Sequence, residues 1–87
     1  MLRITRRDGD GGGAVLELAG RVTGAELPAL REAVAACGDL VPIVLDLAEV
    51  AYADAPGVEA LVAWERAHVG LVAPRGFVRR LLEEVRR

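Results

Sequence analysis

Apolar and polar residues alternate from Leu2 to Arg6, with Leu2 and Ile4 set against Arg3 and Thr5, and again from Ala14 to Ala19, with Leu16 and Leu18 set against Glu17. A period of two puts such residues on opposite faces of half-buried strands, so the chain opens with two strands. From Leu27 the period changes: Leu27, Leu30, Val34 and Cys37 follow at steps of three, four and three, one stripe of a helix. Gly38 stops that helix, and Pro28, which would cost about 3 kcal/mol in a helix interior, sets its start near Glu26. Thr23 and Glu26 also stand at the spacing of a capping box. Cys37, lying on the stripe, reads as a small core residue rather than a reactive thiol.

The run Val41–Leu47 (VPIVLDL) is almost unbroken in apolar, β-branched residues, as expected of a strand covered on both faces, with Pro42 at its start. The stretch AEVAYADAP, residues 48 to 56, reads as a loop. A helix begins at Pro56, capped by Asp54, and carries Val58, Leu61, Val62 and Trp64. Gly70 to Ala73 is a short strand bounded by Pro74. Phe77, Val78, Leu81, Leu82 and Val85 then form the apolar side of a last helix, with Arg79, Arg80, Glu83, Glu84, Arg86 and Arg87 outside. The order β-β-α-β-α-β-α describes an α/β fold: a mixed sheet, parallel in its second half, with helices packed on it. Nothing divides the chain, and residues 1–87 read as one small domain that buries roughly 60 to 65% of its unfolded surface.

Composition narrows the chemistry more than it alters the fold. Apolar residues make up 53% of the 87, yet Phe, Trp and Tyr occur once each, so Ala, Leu and Val must build the core. There is no Ser, Asn, Gln or Lys; the hydroxyls are Thr5, Thr23 and Tyr52, which excludes a seryl nucleophile and a lysyl Schiff base. With 11 basic and 13 acidic residues the net charge is -2, which disfavours nucleic acid and anionic membrane surfaces. One Cys and one His give no internal disulfide and no recognisable metal set, and no cofactor is implied. No signal-peptide-like stretch opens the chain, and the longest apolar run, Leu40 to Leu45, is far below the ~20 residues that span a bilayer, so a soluble cytoplasmic protein without membrane insertion is expected.

Three constellations invite a functional reading. In DGDGGG, residues 8 to 13, Gly9, Gly11 and Ala14 match dinucleotide-fingerprint spacing, but a strand follows where a helix is required. Asp8 and Asp10 resemble the opening of a calcium loop whose later ligands are missing, so the segment reads as a flexible, solvated hairpin connection. Asp46, Asp54 and His68 are the candidates for acid–base work, with Asp46 and Asp54 expected to be neighbours; against this, Asp54 suits a helix cap and His68 a helix's last turn. The arginine pairs of the last helix flank Glu83 and Glu84 without interleaved aromatics, a solvated face rather than a phosphate-binding one.

The segment IVLDLAEVAYADAPGVEALVAW, residues 43 to 64, resembles the core of the STAS domain, the module shared by bacterial anti-sigma factor antagonists and the cytoplasmic tails of sulphate-type anion transporters. In that family a strand ends in an acidic residue, a short loop follows, and Asp-Ser-Ser-Gly or Asp-Thr-Ser-Gly opens a helix. LELAGRVTGAELPALREAV, residues 16 to 34, is similar to the family's second strand, turn and first helix, and GLVAPRGFVRRLLEEV, from Gly70 to Val85, to its fourth strand and next helix.

The resemblance implies a non-catalytic regulatory module that docks a protein through Arg21, Val22, Thr23, Asp54, Ala55, Pro56, Gly57 and Val58. Two departures qualify it. Pro56 stands where the family carries its phosphoacceptor hydroxyl, with Ala55 before it, so no phosphoacceptor exists at that site and binding is expected without the usual switch. Modification of Thr23 instead stays open. The family domain also usually continues into a further strand and helix, which implies an open sheet edge here and self-association into a homodimer. The implied partner is an anti-sigma factor kinase or, in the alternative, the ATPase subunit of an ABC-type transporter served from the cytoplasmic side. A small enzyme using Asp46, Asp54 and His68 is the competing class.

Overall fold

A computed structural model describes residues 1–38, 42–74 and 76–86, without the side chains of Asp10 and Phe77. The expectations placed on Leu40, Val41, Arg87 and those two side chains lie outside the described residues. The elements are β1 (Leu2–Asp8), β2 (Ala14–Val22), α1 (Leu27–Ala36), β3 (Ile43–Ala53), α2 (Ala55–Arg66), β4 (Gly70–Val72) and α3 (Gly76–Arg86), with single 3-10 turns at Asp10–Gly12 and Gly24–Glu26. The four strands form one sheet in the order β1-β2-β3-β4. β1 and β2 are antiparallel, and β2, β3 and β4 are parallel.

Because the sheet grows in one direction from β2 to β4, right-handed crossovers deliver α1 and α2 to the same face. The burial pattern agrees. Along β2, Ala14, Leu16, Leu18 and Val22 are buried and meet Leu30 of α1, Leu45 and Leu47 of β3, Leu61 of α2 and Leu82 of α3 in one core. The other face is solvated: Arg7 of β1 pairs with Glu17 of β2 at 3.3 Å and approaches Asp46 of β3 at 4.0 Å. The expectation that β3 is covered on both faces is therefore corrected. One layer of helices covers one face only, and the crossed charges keep the second face wettable.

β3 is also longer than its sequence suggests, running to Ala53 where a loop from Ala48 was expected. Its register against β2 slips twice, between Glu17 and Ala19 and between Gly20 and Arg21, each slip adding one residue to β3. The inward positions of β3 accordingly fall at Leu45, Leu47, Val50 and Ala53, spaced two, three and three. That spacing matches neither a strand nor a helix template.

The capping box at Thr23 does not form. Glu26 donates its backbone N–H to the Thr23 carbonyl at 2.9 Å, closing the 3-10 turn through the backbone, and the Thr23 side chain makes no capping bond. α1 starts one residue later with Pro28 in its first turn, as expected, and Gly38, at φ +60°, ends it.

Cys37 closes the stripe of α1 at 3% exposure, its Sγ 3.5 Å from the Ala33 carbonyl. Thiol reagents should therefore label it slowly in the native protein and rapidly in denaturant. Equal rates in the two conditions would remove Cys37 from the core.

Candidate functional site

The carboxyl ends of β2 and β3 and the first turn of α2 converge on Asp54. This residue leaves β3 in an extended conformation, φ -88° and ψ 178°, and serves as the N-cap of α2. Its Oδ1 accepts the Gly57 N–H at 2.8 Å, the ordinary cap bond, while its Oδ2 accepts the Gly24 N–H at 3.0 Å from a chain segment thirty residues away. Its own N–H donates to the Val22 carbonyl at 3.2 Å. One residue thus fastens the end of β2, the Gly24–Glu26 turn and the head of α2 together. The Gly24 N–H, the Gly57 N–H and the nearby Arg21 guanidinium all favour the ionised form, and they hold the Asp54 carboxyl below its ordinary value of 3.8.

Gly57 makes the junction possible. A Cβ there would lie 2.1 Å from the Val22 carbonyl oxygen, so only a residue without one lets α2 settle on the end of β2. Gly24 differs: a Cβ on it would meet Pro56 at an ordinary 3.6 Å.

The residues expected to form a docking face divide by exposure. Arg21, Ala55 and Pro56 are exposed, and Thr23 and Asp54 are half-buried. Val22, Gly57 and Val58 are buried and support the face from beneath. Pro56 sits in the first turn of α2, where its fixed φ suits the helix and its missing N–H costs nothing.

Three participants escaped the sequence reading. Gly24 supplies the second N–H to Asp54, and its one signal is a glycine just after a strand end. Tyr52, the lone tyrosine, lies beneath the Arg21 guanidinium, 4.9 Å from the ring centroid. α3 contributes Leu81, Glu84 and Val85 to a groove of about 250 Å³ whose other lining includes Tyr52, Ala53, Asp54, Ala55, Val58 and Glu59. Periodicity identified the helix but not what it faces.

The acid–base candidates are not brought together. Asp46 and Asp54, expected as neighbours, are eight residues apart, one within β3 and the other just past its end, roughly 25 Å along the strand direction. Asp46 instead accepts the Ala48 N–H at 3.0 Å. His68 lies just beyond the far end of α2, roughly 18 Å along the helix from the Asp54 cap. There it takes the left-handed conformation, φ +72°, of a Schellman ending, in which the N–H groups of His68 and Val69 donate to Glu65 and Trp64. Among the described residues no three His, Cys, Asp or Glu side chains gather as a metal site, and no helix is long and apolar enough to cross a membrane.

Gly57→Ala should destabilise the fold by about 3 kcal/mol or more, since the clash is with backbone, whereas Gly24→Ala should be nearly neutral; urea unfolding of both variants measures the contrast. Asp54 gives a pH signature. Its folded value lies below the unfolded one, so its contribution to stability is complete above 3.8 and disappears as the pH falls through the folded value. Thermal melts of Asp54→Asn should therefore show a shallower loss of stability on the acid side than the parent.

No curated protein matches the chain. An uncharacterised protein of Shewanella loihica PV-4, whose crystal structure is described as having a SpoIIAA-like fold, is 15% identical, with a TM-score of 0.47 over 98% of this chain and 76% of that one. The family model described as "Mlab, STAS domain" matches residues 5–86, nearly the whole chain. The protein belongs to the STAS domain family.

Proposed function

We propose that this STAS domain is a non-catalytic interaction module that binds a protein partner constitutively, through the exposed rim formed by Arg21, Thr23, Asp54, Ala55 and Pro56. The observation that carries the reading is the double acceptance by Asp54, which sets the β2 end and the head of α2 in one fixed arrangement without any modification. A phosphate beside Asp54 would add roughly -1.5 to -2 charges with their hydration shell to the rim and displace a partner fitted to the apolar Ala55 and Pro56 surface. With Pro56 at the position that family resemblance gives to the phosphoacceptor, that switch has no hydroxyl to act on. The separation of Asp46, Asp54 and His68 weighs against the enzymatic alternative.

Two partner classes fit such a module in the cytoplasm: a sigma-regulating kinase and the ATPase subunit of an ABC-type transporter. Pro56 favours the second, because support of a transporter needs no phosphate cycle.

Affinity capture from the native lysate followed by calorimetry on the isolated partner tests the proposal. Pro56→Asp should weaken binding about tenfold or more, about 1.4 kcal/mol or more, because the partner would have to desolvate a carboxylate where it now meets the apolar Pro56 ring. Pro56→Ser should fold and bind, and Arg80→Ala, on the exposed side of α3, should bind as the parent does. Equal affinity of Pro56→Asp and the parent would move the docking surface elsewhere.

A further inference from the structure

The groove between α2 and α3 combines apolar and acidic side chains. Each helix lines it at i, i+3 and i+4: Ala55, Val58 and Glu59 from α2, and Leu81, Glu84 and Val85 from α3. Tyr52 and Ala53 from the end of β3 complete it, beside Asp54. Among the described residues the large apolar side chains left exposed are Met1, Tyr52, Val72 and Val85, and two of these four are in this groove, Tyr52 at 36% and Val85 at 38% exposure.

Its charge is one-sided. Among the described residues three carboxylates, Asp54, Glu59 and Glu84, line it, and no basic residue does. Three arginines near it are engaged: Arg86 binds Glu65 through two contacts at 2.8 and 2.6 Å, Arg79 binds Glu83 at 3.2 Å, and Arg21 is stacked on Tyr52. Among the described residues no ion pair engages Glu59 or Glu84. An apolar trough between two helices, edged by the two carboxylates Glu59 and Glu84 without ion pairs among the described residues, is the complement of a helix that buries an apolar stripe and carries arginine or lysine beside it.

We propose that this groove is the specificity pocket of the docking face and receives a basic amphipathic helix of the partner, its apolar residues seated on Tyr52, Val58, Leu81 and Val85 and its cations paired with Glu59 and Glu84. The proposal rests on the interaction-module reading and adds the chemistry of what is recognised. At about 250 Å³ the groove admits side chains, not a whole helix, so the helix lies across it and inserts apolar anchors.

The test is NMR titration of the full chain with a synthetic model helix of leucine and alanine flanked by arginine, and with its mirror in which glutamate replaces arginine. The arginine peptide should shift the resonances of Tyr52, Val58, Leu81 and Val85, the glutamate peptide should bind at least tenfold more weakly, and Glu59→Arg/Glu84→Arg should lose the preference. These two side chains are exposed, so the variant should keep the parent's fold, which its unperturbed core resonances would verify. Absence of binding by the arginine peptide, shifts confined to another surface, or equal affinity for both peptides would overturn the proposal. So would a concentration-dependent shift of the same resonances without peptide, which would put a second copy of the chain in the groove. A captured partner that is lost with Pro56→Asp but retained by Glu59→Arg/Glu84→Arg would overturn the groove while leaving the docking rim standing.

Discussion

The backbone of β2 at Val22 and the first turn of α2 at Gly57 come so close that a single methyl group at Gly57 would collide with the Val22 carbonyl. That approach lets the Asp54 carboxylate reach two amides that belong to different parts of the chain, Gly57 one turn along its own helix and Gly24 just past the end of β2. Most helix caps satisfy only their own helix. This one also ties the crossover that leaves β2 to the strand beside it, and the rim that carries Arg21, Thr23, Ala55 and Pro56 takes its shape from that tie.

The sheet explains why the rim and the groove lie side by side. β4 pairs with β3 only from Val44 to Asp46, so among the described residues the carboxyl half of β3 has no strand on that side. α3 packs there against α2 and β3, burying Val78 and Leu82 while leaving Leu81 and Val85 at the border of the core. Two helices, the end of a strand and an N-cap thus meet at the carboxyl edge of the parallel strands, where open α/β sheets bind their ligands. The opposite face of the sheet carries the Arg7, Glu17 and Asp46 charges.

Much of this could be read from the residues in order. The stripe of Leu27, Leu30, Val34 and Cys37, the proline at the head of α2 and the alternation in β1 and β2 are strong local signals, and each element stands where they place it. β3 was legible only in its first half, because two bulges break the period of two and because Ala48, Ala51 and Ala53 have little strand preference of their own. Its one-sided burial depends on the common direction of the crossovers, a property of topology that Val44 and Leu45 cannot announce. At the site, Asp54 was visible as a cap and Gly57 as part of a familiar motif. The bond from Gly24 and the groove under α3 are long-range meetings, and no spacing along the chain encodes them.

The dual role of Asp54 is tested most directly by amide hydrogen exchange at Gly24 and Gly57, followed by NMR from neutral pH into acid. A clamp predicts that both amides are protected at neutral pH and lose protection together as Asp54 takes up its proton, while core amides such as those of Leu45 and Leu61 remain protected. Free exchange of the Gly24 amide at neutral pH, with Gly57 still protected, would reduce Asp54 to an ordinary helix cap and contradict the claim that one carboxylate sets the geometry of the docking face.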